Sequence, residues 1–535
     1  MLALVWLMPG HASQGNGTED AFAAALAQLT KGSFSDRARV IDELARLGDA
    51  RVADVFDAFL QGSLYYDKST RAVLIVTKSA TGYLGNEVLA GKEPGLVTKK
   101  DIKKISVNNA LRQQLRRWIA LFKLSSVNAD SREEAAQALI KAPSREFLLP
   151  LEQALAAESE GHVKAAMMLA KASILLGSDD PVERLAAVSA MADASDSRVV
   201  TMLEVLVAQD ANGHFSEADE AVRAAAQDAL IQLRTRGKLY RFVEDLFFGV
   251  SLGSVLLLAA VGLAITFGVM GVINMAHGEM IMLGAYTTYV VQLLMPEHIG
   301  LSLLVAIPAA FLVSGLFGVA IERCVIRFLY GRPLETLLAT FGVSLILQQL
   351  VRSIFTPLNR SVLTPDWMSG SWQINGMLSL TYNRLYIIIF ALLVLFGLMQ
   401  LLKRSFFGLQ MRAVTQNRAM ASSMGIRTGW VDALTFGLGS GIAGIAGVAL
   451  SQLTNVGPNL GQAYIIDSFM VVVFGGVGNL MGTFVGAMTL GLVNKFAEPF
   501  TGAVLAKILI LVFVILFIQR RPRGLFALKG RFVED

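Results

Sequence analysis

From Leu246 to Ile518 the chain is an almost unbroken series of apolar stretches with sparse charges. Each stretch approaches the ~20 residues a helix needs to cross a hydrocarbon core. This feature constrains the fold most, because lipid offers no hydrogen bonds and the backbone must satisfy itself in helices or a closed barrel. Spans are expected near residues 248–270, 279–295, 301–321, 335–354, 385–402, 430–451, 465–477, 480–494 and 503–519. The two around "VVVFGGVGNLMGTFVGAM" are short and Gly-interrupted, which predicts a broken or re-entrant pair shielded by protein.

The basic residues give an orientation. Alternate loops hold Arg323, Arg327 and Arg332, then Lys403, Arg404, Arg412, Arg418 and Arg427, then Arg520, Arg521, Arg523, Lys529 and Arg531. The opposite loops hold only Arg352, Arg360, Arg384 and Lys495. The richer side is expected in the cytoplasm. An odd number of spans then places everything ahead of the first one outside. A separate feature agrees: in "MLALVWLMPGHAS" the apolar run Leu2–Met8 and the following His11-Ala12 read as the tail of a signal peptide over residues 1–13.

Hydrophobic residues make up 54% of the chain, but the excess is uneven, and residues 14–244 are charged and Ala-rich. Within them, "DRARVIDELARLGDARVADVFDAFL" (36–60), "SREEAAQALIKAPSREFLLPLEQAL" (131–155) and "VERLAAVSAMADASDSRVVTMLEVL" (182–206) share one pattern. Each is an amphipathic helix, a turn ending at Arg51, Arg145 or Arg198, and a second amphipathic helix. Stacked helical pairs of this kind resemble HEAT-like solenoids. "LYYDKSTRAVLIVTK" breaks the pattern with β-branched and aromatic residues and predicts a small hairpin. The expected class is all-α: an extracytoplasmic helical-repeat domain over 14–244, then a polytopic membrane domain over 245–535.

Several chemistries are set aside at this stage. His162 and His214 stand alone, so no catalytic or metal-ligating constellation is expected in the polar half. The net charge of +5 is modest, and the basic residues lie beside apolar segments, which argues against a nucleic-acid partner. Cys324 is the single cysteine, so no intrachain disulfide forms. No GxxxxGK[ST] phosphate loop is present, and "GGVGNLMG" lacks the Lys-Ser/Thr ending. No cofactor of the chain's own is expected. His-Glu-x-x-His and Gly-x-Ser-x-Gly are also absent from the spans, which argues against an intramembrane enzyme.

The membrane half carries its own markings. Gly437 and Gly441, Ser440 and Gly444, Ala443 and Gly447, and Gly478, Gly482 and Gly486 recur at four-residue spacing. Such stripes let helices approach closely in lipid. "GVINMAHGEMIMLGAY" (271–286) sets Asn274, His277, Gly278 and Glu279 between two apolar stretches. By the parity of spans these residues are expected at the cytoplasmic turn, with Glu279 at a helix N-terminus and Asn274 and His277 capping free backbone groups; a gating or solute role is the other reading. Candidates for a solute path are Gln348, Gln349, Ser440, Ser451, Gln452 and Asn455, each equally able to satisfy a helix backbone or a neighbouring subunit. The basic loop "GLQMRAVTQNRAMASSMGIRTG" (408–429) predicts a short cytoplasmic helix.

These two motifs carry a resemblance. "GVINMAHGEMIMLGAY" resembles the signature near the first spans of branched-chain amino-acid-type ABC importer permeases. Ala419 to Gly425 resembles that family's Glu-Ala-Ala-xxx-Gly coupling motif, with Ala419 in place of Glu and Met420 in place of Ala. Ala421, Met424 and Gly425, with Arg412 and Arg418 on the same loop, complete the coupling candidates. The likeness covers about residues 246–535. The long N-terminal extension and the run "YIIDSFMVVVFGGVGNLMGTFVGAM…NKFAEPFTGAVLAKILILVFVILFIQRRPRGLFALKGR" resemble the B-type permease subunit of urea ABC transporters. The resemblance implies an inner-membrane permease for urea or short amides. It implies as partners a second related permease, two subunits that bind the ATP, and an extracytoplasmic solute-binding protein. The alternatives are a branched-chain amino-acid permease and a membrane-anchored interaction protein whose working part is the repeat domain.

Overall fold

The computed structural model of the chain describes residues 17–526 except 48, 50, 80–81, 90–94 and 99. Residues 1–13, read above as the tail of a signal peptide, and the basic residues Lys529 and Arg531 lie outside the described residues. The chain is predominantly helical, as expected. It divides into two compact units, Met1–Thr235 and Arg236–Asp535.

The first unit holds α1 (Gly17–Gln28), α2 (Phe34–Leu47), α3 (Arg51–Gln61), strands β1 (Leu64–Asp67), β2 (Val73–Ser79), β3 (Gly82–Glu87), β4 (Gly95–Val97) and β5 (Ile102–Lys104), then α4 (Asn109–Lys123), α5 (Ala129–Lys141), α6 (Leu148–Ala157), α7 (Gly161–Leu175), α8 (Pro181–Ala192) and α9 (Ser197–Val207). The three expected helical pairs are α2–α3, α5–α6 and α8–α9, with α4 and α7 added between them. Their apolar stripes meet inside: Leu44, Phe56, Leu139, Leu151, Met167, Val188 and Leu203 are all buried.

A repeated arginine fixes the loops. The Arg132 guanidinium donates to the carbonyls of Ser126 (2.9 Å) and Val127 (3.1 Å) and forks onto Glu158 (2.6 and 2.9 Å). Arg184 does the same to Ser178 and Asp179 (2.8 and 3.0 Å) and to Glu217 (2.8 Å twice). Arg223 donates to Glu217 and Ala218 (2.9 and 2.7 Å). In each case the bonded carbonyls lie five and six residues upstream. The Arg132 guanidinium, with backbone N–H groups of Ser159 and Glu160, holds the Glu158 carboxyl down at about 2.

The predicted hairpin forms as β1–β2, with Leu64 opposite Ile75. It sits inside a larger antiparallel sheet of order β4-β3-β2-β1-β5. Asp67 closes the hairpin turn by accepting from the backbone N–H groups of Ser69 (2.7 Å) and Thr70 (2.9 Å).

The second unit continues with α10 (Glu220–Met270, which contains the unit boundary), α11 (His277–Leu294), α12 (Ile299–Cys324), α13 (Pro333–Phe355), the hairpin β6 (Ser371–Asn375) and β7 (Leu378–Thr381), α14 (Tyr382–Arg404), α15 (Phe406–Gln416), α16 (Arg418–Ser423), α17 (Thr428–Ser451), α18 (Leu460–Gly475), α19 (Leu480–Thr501) and α20 (Ala503–Arg520). Every expected span coincides with a helix. Among the described residues, seven are long and apolar enough to cross a membrane, and α18 is a shorter apolar helix. The remaining one, α11, opens with His277 and Glu279.

The bundle is built on α17, which is buried over most of its length. Its small residues meet backbone on three sides. A Cβ on Gly439 would lie 2.6 Å from the Gly262 carbonyl oxygen of α10, and one on Gly447 would lie 2.0 Å from the Ile281 oxygen of α11. On the α12 side, a Cβ on Gly444 would lie 2.6 Å from the Ala310 carbonyl oxygen. Helix contact this close is the packing available where apolar burial drives nothing.

The Gly-rich run after α18 is a tight turn rather than a membrane break. Gly476 and Gly478 take φ of 108° and 80°, and the Asn479 side chain caps α19 by accepting from Met481 and Gly482. Leu525 and Phe526 donate back to the carbonyls of Phe474 (2.9 Å) and Gly475 (3.1 Å), satisfying the last turn of α18. The interruption is instead at the start of α18, five residues before the expected span.

Candidate functional site

Asn274, His277 and Glu279 were expected at a cytoplasmic turn, and the structure instead buries all three inside the bundle. His277 Nε2 bonds the Ala259 carbonyl at 2.9 Å. Ala259 lies eleven residues before the end of α10, about 16 Å inside it at 1.5 Å per residue. Met275 N–H donates to Thr340 Oγ1 (3.2 Å), seven residues into α13. After Met270, residues 271–276 therefore climb back into the bundle, and α11 begins in its interior. Only backbone bonded within the protein permits this in a membrane. Asn274 supplies part of that bonding, its Oδ1 accepting from Ala276 N–H at 3.0 Å. The depth of this turn went unread because a count of spans takes each helix to start at the surface.

Glu279 does not cap its own helix. Its side chain turns to α13, where Oε1 accepts from Ser344 Oγ (2.9 Å) and Gln348 Nε2 (2.8 Å). Gln348 Oε1 in turn accepts from Arg352 Nη2 (3.4 Å), and the same nitrogen donates to Asn459 Oδ1 at 2.8 Å. Asn459 immediately precedes α18. A single chain of hydrogen bonds thus runs from the first turn of α11, along one face of α13, to the start of α18. Glu279, Ser344 and Gln348 are almost wholly buried. Glu279 Oε2, Asn274 Nδ2 and His277 Nδ1 are buried and have no hydrogen-bond partner among the described residues.

The start of α18 answers that of α11. After α17 ends at Ser451, residues 452–459 turn inward, tied by Val456 to Arg360 through two backbone bonds (2.7 and 2.8 Å). Helix α18 then starts against α11: a Cβ on Gly278 would sit 2.5 Å from the Gly461 oxygen, and one on Gly461 would sit 2.2 Å from the Gly278 oxygen. Helices α10 and α17 run in opposite directions, so one inward segment enters from each end of the bundle. Two short helices of opposite sense thus meet by their N-termini inside it, each bringing free N–H groups and a positive dipole end.

The other sequence candidates fall elsewhere. Gln349 is exposed on the outer face of α13, and Asn455 is exposed in the segment before α18. Ser440 is buried between α17 and α12. Gln452 donates to Ser451 Oγ (3.3 Å) at the end of α17. The sequence reading brought forward Glu279 and Gln348 for separate reasons, and the structure joins them. It did not single out Ser344, and it counted Arg352 only as a loop charge.

Residues 405–425 form two short helices. Ser405 caps α15 and Asn417 caps α16. Gly425, at φ 88°, ends α16 in the left-handed region, and Ile426 N–H returns to the Ala421 carbonyl at 3.1 Å. Ala421 is buried, while Ala419, Met420, Met424 and Arg412 are exposed. Arg418 forks onto both oxygens of the fully buried Asp432 in α17 and lies 4.5 Å from the ring centroid of Tyr330, whose hydroxyl donates to Glu322 Oε1 (3.3 Å).

Comparison with known proteins bears on the second unit. Residues 246–518 match the family described as branched-chain amino acid transport system, permease component. The chain is 30% identical over 297 residues to the high-affinity branched-chain amino acid transport system permease protein BraD of Pseudomonas aeruginosa, covering 54% of this chain and 96% of that protein. It is 32% identical over 294 residues to LivH of Salmonella typhimurium, a permease protein of the same description, covering 53% and 95%. To the inner membrane ABC transporter permease protein YjfF of Escherichia coli it is 29% identical over 237 residues, covering 41% and 68%. No solved structure matches the chain.

Proposed function

The chain belongs to the family of branched-chain amino acid transport permease components, and on that premise we propose that it is the membrane-spanning subunit of an ATP-driven importer of urea or short amides. It sits in the bacterial inner membrane and works with a second related permease, two ATP-binding subunits and an extracytoplasmic solute-binding protein. The observation that carries the transport reading is the pair of opposed short helices meeting at a buried polar centre. Interrupted helices whose N-termini converge inside a bundle offer backbone N–H groups to a solute where a continuous helix offers none.

Sidedness follows from charge. The end of the bundle with α15 and α16 carries the basic loops and faces the cytoplasm. The first unit then lies in the periplasm as a helical-repeat module. The exposed Met420 of α16 and Met424 just after it dock on an ATP-binding subunit. Closure of that subunit shifts α16, and the Arg418–Asp432 pair passes the shift to α17, on which α10, α11 and α12 pack.

The urea reading rests on the N-terminal extension and the C-terminal run described above. A second reading, a branched-chain amino-acid permease, is supported at least as well, because the relatives with roughly 30% identity are named for those substrates. Uptake of labelled urea and labelled leucine by cells with and without the gene separates the two. Loss of urea uptake alone supports the first; loss of leucine uptake alone replaces it with the second.

A further inference from the structure

We propose that the Glu279–Gln348–Arg352–Asn459 chain is the solute-recognition centre, and that it takes a small solute presenting N–H groups beside a carbonyl or carboxylate oxygen. The inference rests on the permease reading above and names the chemistry of its site.

The argument begins with the cost of Glu279. A carboxylate at 1% exposure inside a membrane bundle is expensive to keep, and such residues mark solute or ion pathways. A structural role would not need it, since a glutamine side-chain oxygen would accept the same two bonds from Ser344 and Gln348. What the carboxylate adds is its second oxygen, Oε2, buried and without a partner among the described residues. A buried acceptor of this kind binds N–H groups strongly. Arg352 and the two helix N-termini supply the opposite polarity within the length of one side chain.

Gln348 reports the pose. Its primary amide donates N–H to the Glu279 carboxylate and offers its C=O to the Arg352 guanidinium. That is the pairing urea or a short amide makes with the same two groups. A zwitterionic amino acid fits the same polarity, with its ammonium on Glu279 and its carboxylate toward Arg352 and the helix ends. The two solutes therefore share one recognition chemistry, and the substrate identified by uptake decides which one uses it.

The test uses the complete transporter with its partner subunits in proteoliposomes, importing labelled urea or labelled leucine. Glu279→Gln keeps the side chain's shape but replaces an acceptor with a donor. Losing one charge-assisted hydrogen bond raises KM by about 10- to 100-fold, with a much smaller change in maximal rate. Glu279→Asp gives an intermediate rise and covers the case in which Glu279→Gln does not assemble. Gln349→Ala, one residue from Gln348 but exposed, leaves KM unchanged. Tetramethylurea, which has no N–H, fails to compete with urea; 4-methyl-2-oxopentanoate, which keeps leucine's skeleton and carboxylate but has no N–H, fails to compete with leucine. Unchanged KM in an assembled Glu279→Gln transporter, or competition by the N–H-free analogues, overturns the recognition centre and leaves the permease reading intact. A wild-type complex that imports neither solute overturns the permease reading, and the centre falls with it.

Discussion

The Arg418–Asp432 pair is the contact whose removal should reveal how force reaches the bundle. Asp432 sits in the second turn of α17 with its side chain fully buried, while Arg418 opens α16 and keeps about two-fifths of its side chain in solvent. Arg418→Met leaves an unpaired carboxylate inside the protein. Breaking a buried pair from one side costs about 3–5 kcal/mol, and the half-open arginine places this one near 3 kcal/mol. Asp432→Asn keeps an acceptor and removes the charge, so it costs less, about 1–2 kcal/mol. In the double variant no charge is stranded, so the two losses do not add, and a coupling of about 1–2 kcal/mol is expected between them. The assay pairs thermal unfolding of the purified complex with the ATP hydrolysed per solute imported. Arg418→Met should lower the midpoint and raise the ATP used per solute, and the double variant should fall no further in midpoint than Arg418→Met while its ATP ratio stays raised. Strictly additive midpoints, or an unchanged ATP ratio in every variant, refute the reasoning.

Four further outcomes follow. Gly425→Leu puts a side chain at φ 88° in open space, a backbone cost of about 1–2 kcal/mol; the protein should remain in the membrane with ATP use uncoupled from transport, and normal transport sinks the coupling role of α16. Gly447→Leu drives its Cβ onto the Ile281 oxygen, and the yield of folded protein should collapse where Gly342→Leu, beside open space, is tolerated. The Glu158 carboxyl lies well below its usual value of 4.5, so the stability it adds is fully present above about pH 4.5 and is lost as pH falls toward about 2; hydrogen exchange over residues 126–160 of the full chain should accelerate in that window, and Arg132→Met should shift the onset upward. A phosphatase reporter fused after Arg236 should be active, and a silent fusion with an active cytoplasmic reporter reverses the topology.

Much of the membrane unit was legible because apolar length is a global signal: all nine expected spans coincide with helices, most within a few residues at either end. The depth at which a helix starts leaves no such mark. Residues 271–276 look like any surface turn, and only Met275 bonded to Thr340 and His277 bonded to Ala259 reveal that they lie inside. Gly278 and Gly461 were readable only as small residues, because their meaning is their mutual contact across most of the unit's sequence. The Glu279–Gln348 bond was hidden for the same reason. In the first unit, β-branched residues exposed the β1–β2 hairpin, but "GYLGNE", "GLV" and "IKK" carry no alternation that would announce β3 to β5. Arg132 and Arg184, which tie a loop to a later carboxylate, look in sequence like two more charges on solvated helix faces.

The two inner helix ends touch through glycine, so the wall they form is main chain. Main chain has no side group for mutation to vary, and any larger residue at Gly278 or Gly461 would push the helices apart. The side-chain part of the polar centre lies largely on α13, at Ser344, Gln348 and Arg352, each one helical turn from the next. If the polar centre recognises the solute as proposed, substitutions along one stripe of one helix alter the cargo while the main-chain contact between Gly278 and Gly461 is left as it is.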